Sequence, residues 1–287
     1  MRPKLPVGIS TFSTIRTEGY VYVDKTALIH RLVEQGRYYF LSRPRRFGKS
    51  LLVDTLKELF EGNEALFQGL AVQPVWDWSK KHPVIHVTFN DGVHNDRQRL
   101  EQRIRVQLLD NALRLHIELP EVDDNALLFQ RLLEKAAEHY QQPAVVLIDE
   151  YDKPIIDQIL DPARADELRS SLKNLYSVLK GRDSLICFVL LTGVSKFSQV
   201  SLFSGLNTLE DITIHADYSS LCGYTQTELE YSFATYLDDV DLEQMRLWYN
   251  GYNWLGETVY NPFDVLLFLK DKLYRSYWFS TAPPRPF

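Results

Sequence analysis

The sequence predicts a three-layer α/β/α sandwich on a mainly parallel five-stranded sheet, followed by a small C-terminal helical unit. Three observations predict it. Short apolar runs alternate with helix-periodic stretches over the first three quarters of the chain, the order of a parallel sheet with helical crossovers. Two of those runs, AVVLID (144–149) and LICFVLL (185–191), lack polar alternation, as expected of strands covered on both faces. From about Asp217 onward helices and aromatic residues take over, so the expected division is 1–216 for the core and 217–287 for a lid or adaptor.

Each element follows in order. Leu28, Ile29, Leu32 and Val33 recur at helical spacing after Asp24, the expected N-cap, and Gly36 ends the pattern. RYYFL (37–41) reads as a short buried strand, and Leu51, Leu52, Thr55, Leu56, Leu59 and Phe60 then mark one face of a helix stopped by Gly62. PVIHVTF (83–89) is the second strand; helices are expected from Asp96 to about Ile117, from Asn125 to about Tyr140 and from about Ala165 to Lys180. EDITIHA (210–216) is the expected fifth strand. In the C-terminal unit, Thr225 and Glu228 have capping-box spacing. LEQMRLWYNGYNW (242–254) reads as a helix interrupted at Gly251, and Asn261-Pro262 starts another helix. The tail STAPPRPF reads as irregular.

Composition narrows the function classes. With 287 residues, 45% of them apolar, the chain can bury a large core. A net charge of −6 argues against a surface built throughout to neutralise nucleic-acid phosphates, which makes nucleic acid a second-rank partner. Cys187 and Cys222 have neither metal spacing nor the pattern of a disulfide framework. With no signal-peptide core and no apolar run of membrane-spanning length, a soluble cytoplasmic protein without membrane partners is expected.

The chemistry concentrates in SRPRRFGKSLL (42–52). Gly48-Lys49-Ser50 ends a phosphate-binding loop of the form GxxxxGK[ST], following a strand and opening a helix, but Arg43 stands where the first glycine belongs. In such a loop backbone N–H groups and the helix N-terminus receive a phosphate, Lys49 reaches the β/γ oxygens and Ser50 holds Mg²⁺. The candidate nucleotide-binding stretch is Arg45, Arg46, Phe47, Gly48, Lys49, Ser50 and Leu51. Arg45 and Arg46 read equally well as phosphate neighbours or as a solvated basic loop. A lone triplet is weak; the second half of the site is VVLIDEYD, in which Asp149 ends a buried strand as metal ligand and Glu150 is the residue to polarise water. The alternation of side chains along a strand puts Glu150 opposite Asp149. The next strand ends in LLTGVSKFS, so Thr192 first and Ser195 second are candidates to sense the γ-phosphate. These features together predict a P-loop NTPase core binding Mg·ATP. Arg164, Arg169, Arg182 and Arg246 qualify by type as a transition-state arginine, and none by motif. The Arg97, Arg99, Arg103, Arg105 group reads as a solvated helix face.

YVDKTALIHRLVEQGRYYFLSRPRRFGKSLLVDTLKELFEG, VVLIDEYDKPI, LLTGVSKFS, LCGYTQTELE, WYNGYNW and VYNPFDVLLFL together resemble the bacterial AAA-ATPase-like family, over residues 7 to about 280. The resemblance implies ATP as ligand, an RPRRFGKS loop in which Arg43 is a family trait, and Asp24, Lys25 and Thr26 as candidates for lining the nucleotide pocket. Relatives usually continue into a PD-(D/E)XK nuclease-like domain, of which no segment is expected here. Two functions compete. One is an ATP-hydrolysing motor or switch acting on an attached effector. The other is a nucleotide-gated module with little hydrolysis, docking a protein, a nucleic acid or a second copy through the aromatic stretches LWYNGYNW and YRSYWF.

Overall fold

A computed structural model describes residues 2–92, 96–195 and 209–278. The elements in chain order are α1 (Phe12–Thr17), α2 (Thr26–Gln35), β1 (Tyr38–Ser42), α3 (Lys49–Phe60), β2 (Val84–Thr88), α4 (Arg97–Arg114), α5 (Asn125–Tyr140), β3 (Ala144–Asp149), α6 (Lys153–Ile156), α7 (Pro162–Ser177), β4 (Ile186–Gly193), β5 (Glu210–Asp211), α8 (Gln226–Ser232), α9 (Leu242–Tyr249), β6 (Asn250–Tyr252), β7 (Val259–Tyr260) and α10 (Pro262–Asp271).

Strands β1 to β5 form one sheet in the order β2-β3-β4-β1-β5, with every pairing parallel. The fold is a P-loop NTPase-like α/β/α sandwich. Successive residues of a strand feed opposite layers: Val146 and Ile148 pack with α4, α5 and α7, while Val145 and Leu147 pack with α2 and α3. Each buried aliphatic side chain contributes about 1.5–3 kcal/mol. Two-sided burial is why β3 shows no polar alternation. Placing β4 between β1 and β3 sets Leu41 opposite Thr192 and Ile148 opposite Leu191, which brings the carboxyl ends of the three strands level.

Several sequence expectations change. The fifth strand pairs over Glu210–Asp211 alone, because Thr213 turns inward to accept the Ser42 N–H through its hydroxyl. Helix α2 starts at Thr26 with Lys25 in the cap position; Asp24 sits one residue upstream, its Oδ1 accepting the Thr26 N–H at 2.8 Å. The helix ending in WYNGYNW stops at Tyr249, and the chain passes through Gly251 (φ +130) into an antiparallel pairing of β6 with β7. The Thr225–Glu228 capping box is present at α8, and Asn261 caps α10 with Pro262 in its first turn. A third apolar cluster joins Val21 and Val23, near the start of the chain, to Leu229, Phe233, Met245, Tyr260 and Val265. The stretch STAPPRPF lies outside the described residues. No helix among the described residues is long and apolar enough to cross a membrane.

Candidate functional site

The loop after β1 makes its turns without a leading glycine. The left-handed steps fall on Arg46 (φ +69) and Gly48 (φ +90), and Arg43 is not among the residues with positive φ. Position 43 therefore tolerates a side chain, and that side chain is used. Arg43 is 1% exposed. Its Nη1 donates to Ser42 O at 2.9 Å and Thr213 O at 2.8 Å, its Nη2 donates to Tyr218 O at 3.1 Å, and the guanidinium lies 4.0 Å from the centroid of the Trp254 ring. Two residues before Lys49, Phe47 meets the rings of Tyr252 and Trp254 edge-on, with centroids 4.6 and 5.4 Å away. The loop is thus bolted to the β6–β7 hairpin, and two of the four WYNGYNW aromatics are spent on that contact, while Trp248 and Tyr249 pack against Tyr274.

Gly48 caps α3, so Lys49 and Ser50 occupy its first turn, where backbone N–H groups lack intrahelical acceptors and favour an anion. Lys49 is buried; its Nζ donates to Arg43 O at 3.1 Å and Pro44 O at 3.3 Å and stands 3.0 Å from Glu150 Oε1. Asp149 Oδ2 accepts the Ser50 hydroxyl at 2.6 Å and the Asn90 amide at 2.7 Å, and its Oδ1 accepts the Thr192 hydroxyl at 2.5 Å. Thr192 Oγ1 lies 3.4 Å from the Glu150 N–H.

Strand alternation does not decide where Glu150 points. The strand ends at Asp149, and Glu150 adopts φ +56, a left-handed conformation that costs a non-glycine residue about 1–3 kcal/mol. That twist brings its carboxylate to Lys49 instead of the far face. Asn90 is the residue the sequence reading missed. It lies two positions beyond β2, on the strand neighbouring β3, and a polar residue at that strand end was the available signal.

These groups face a cavity of about 640 Å³. Arg45 through Leu51, Asn90, Glu150 and Lys25 line it, and an apolar wall comes from Ile9, Val23, Leu221, Phe263 and Leu266. The Arg46 guanidinium sits 3.9 Å from the Phe263 ring centroid. Lys25 binds both Glu228 carboxylate oxygens, at 2.6 and 2.5 Å, and burial pushes its ammonium below the usual lysine range while Glu228 pulls the other way. Asp24 and Thr26 are not in the lining. Asp24 Oδ2 accepts the Ala71 N–H and Thr26 Oγ1 accepts the Val72 N–H, so both hold backbone beneath the site. Ser195 meets Asp152 and Tyr151 through its backbone N–H and carbonyl. Arg164, Arg169, Arg182 and Arg246 pair with Asp161, Asp166, Glu134 and Glu243, away from the cavity. Arg97 and Arg99 pair with Glu101 and Asp96.

A magnesium ion fits the donor set. Ser50 Oγ and the Asp149 carboxylate are hard oxygens 2.6 Å apart, and Mg²⁺ takes one or two protein oxygens and completes its shell with water and phosphate. Among the described residues no three His, Cys, Asp or Glu side chains form a closed metal cage.

The "Predicted AAA-ATPase" family model matches residues 6–203. The chain is also 52% identical, over 284 residues and 99% of its length, to a protein of Azotobacter chroococcum mcd 1 named "Uncharacterized protein in vnfD 5'region". It spans about half of that relative, 55% of its length. With a phosphate-loop lysine, an acid doublet and a hydroxyl converging at three adjacent strand ends, and with more than half its length matched by that family model, the chain belongs to the predicted AAA-ATPase family.

Proposed function

We propose that the protein binds Mg·ATP in the 640 Å³ cavity and hydrolyses it slowly, the nucleotide cycle serving as a motor or switch for an attached effector. The observation that carries this reading is the convergence of Lys49, Ser50 and Glu150 on one cavity wall, with Asp149 hydrogen-bonded to Ser50 and Thr192 to Asp149. The apolar wall of Ile9, Val23 and Leu266 suits a base, and the loop suits phosphates. Residues 217–278 act as the lid, with a cytoplasmic location consistent with the two unpaired cysteines.

Hydrolysis in such a site is positioning and electrostatics. The α3 N-terminus and Lys49 hold the β- and γ-phosphates. A phosphate oxygen competes with Glu150 for the Lys49 ammonium, which frees the Glu150 carboxylate to accept a proton from water as that water attacks the γ-phosphorus. Thr192, fixed by Asp149, stands beside that attack. Ser50 and Asp149 would hold a magnesium ion, which would neutralise charge developing on the leaving oxygens.

Glu150→Gln keeps shape and removes the proton acceptor. The expected result is Mg·ATP affinity within about twofold of wild type by calorimetry, with turnover reduced by about 10²-fold or more. Undiminished turnover would remove Glu150 from the role of base.

A further inference from the structure

Two residues beyond Glu150 lies a carboxylate with no part in that scheme. Asp152 is fully buried, and its partners are main-chain donors: Ser195 N, 2.8 Å from Oδ2, and Val194 N, 3.1 Å from Oδ2 and 3.3 Å from Oδ1. The neighbouring Tyr151 completes a bracket. Its N–H donates to Thr192 O at 2.9 Å and its phenol donates to Ser195 O at 2.9 Å. Gly193 fits between them because it has no side chain; a Cβ there would come within 2.4 Å of the Tyr151 ring and 2.8 Å of Asp152 Oδ1.

Thr192 to Ser195, where the chain leaves β4, are therefore held from one side by the two residues that follow the acid doublet. Burying a carboxylate is costly, and an apolar side chain would fill the same volume. What the carboxylate adds is two directed acceptors for adjacent N–H groups. Those groups belong to the backbone and cannot rotate away, unlike the hydroxyls and amide around Asp149.

We infer that Asp152 is a positioning residue for turnover, clamping the end of β4 so that Thr192 keeps a fixed separation from Glu150, which faces the cavity. The inference rests on the hydrolase reading above. It also makes a claim that needs no turnover, namely that the Val194 and Ser195 amides are locked in the protein as isolated. Misplacing a reacting group by about 1 Å costs up to about 10²-fold in rate, whereas binding made through the phosphate loop is untouched.

The experiment compares wild type, Asp152→Asn and Tyr151→Phe as full chains. In Asp152→Asn one acceptor becomes an NH₂ donor facing an N–H. The expected outcome is kcat lower by about 10–100-fold in Asp152→Asn and by a few fold in Tyr151→Phe, with the Mg·ATP dissociation constant within about twofold of wild type for both. Hydrogen exchange at Val194 and Ser195 should be slow in wild type and faster in Asp152→Asn. Wild-type kcat in Asp152→Asn, or affinity and thermal stability falling in step with kcat, would overturn the positioning role alone. Fast exchange of both amides in wild type would overturn the clamp itself. Slow exchange with no wild-type turnover would reject the hydrolase reading, and the positioning role with it.

Discussion

Asp149 and Asp152 are buried carboxylates three residues apart, and they are solvated by opposite kinds of partner. Asp149 is surrounded by side-chain donors, the Ser50 and Thr192 hydroxyls and the Asn90 amide, each on a rotatable bond. Asp152 is met by Val194 and Ser195 N–H groups that move only with the backbone. The first arrangement can open to admit a cation, because its donors can turn elsewhere. The second cannot, and so holds structure. Burial is the same for both, so the identity of the donors, and not exposure, separates a ligand-binding acid from an anchoring one.

The largest expected effect comes from breaking the first arrangement. Asp149→Asn should lower Mg-dependent turnover by about 10²–10³-fold while the apparent melting temperature changes little, since the amide oxygen can still accept from one hydroxyl and the other hydroxyl can rotate to accept from the new NH₂. A magnesium titration of ATPase rate checks it; wild-type rates at saturating magnesium would make Asp149 an anchor as well.

Asp152→Ala should act on stability as well as on turnover. Leaving two half-buried N–H groups without their acceptor costs about 1–3 kcal/mol, a drop in melting temperature of roughly 3–8 °C. A loss below about 1 °C in calorimetry would show that water replaces the carboxylate freely.

Asp264 is a third buried carboxylate and sharpens the contrast, since its Oδ1 has no hydrogen-bond partner among the described residues. Burial pushes its pKa up to about 6, against opposing contributions from the Trp278 backbone and Arg46. Between about pH 4 and 6 the folded protein keeps a proton that the unfolded chain releases, so stability falls as pH rises across that window. Asp264→Asn should flatten this slope and gain stability relative to wild type at pH 7. Denaturant titrations at pH 4.5, 6 and 7.5 test it, and parallel pH profiles for the two proteins would discount Asp264 as the cause.

The sheet was legible because both of its faces are buried: runs such as AVVLID have no other physical use, and the capping pairs at Thr225–Glu228 and Asn261-Pro262 act locally. Lys49, Ser50 and Asp149 were legible because the loop and strand that carry them are contiguous in sequence. The direction of Glu150 was not, since it depends on one left-handed residue that periodicity does not encode. Asn90, Arg43 and Asp152 were hidden for a related reason. Most of their partners are distant in sequence, 59 positions for Asn90 and Asp149, 42 for Asp152 and Val194, and meet only when strands cross, as with Arg43 and Trp254. Asp24 and Thr26 show the converse error, in which residues beside a site in sequence turn out to support the backbone under it.

The stretch matched by the family description ends at residue 203, short of Thr213, Tyr218 and Trp254, which receive the Arg43 guanidinium. A fragment trimmed to that boundary would leave an interior cation with the Ser42 carbonyl but without its Thr213 and Tyr218 acceptors, and would bare the Phe47 ring. Such a piece would be a sticky, half-melted species, and the shortest autonomous version of this fold extends at least through the tryptophan that caps its arginine.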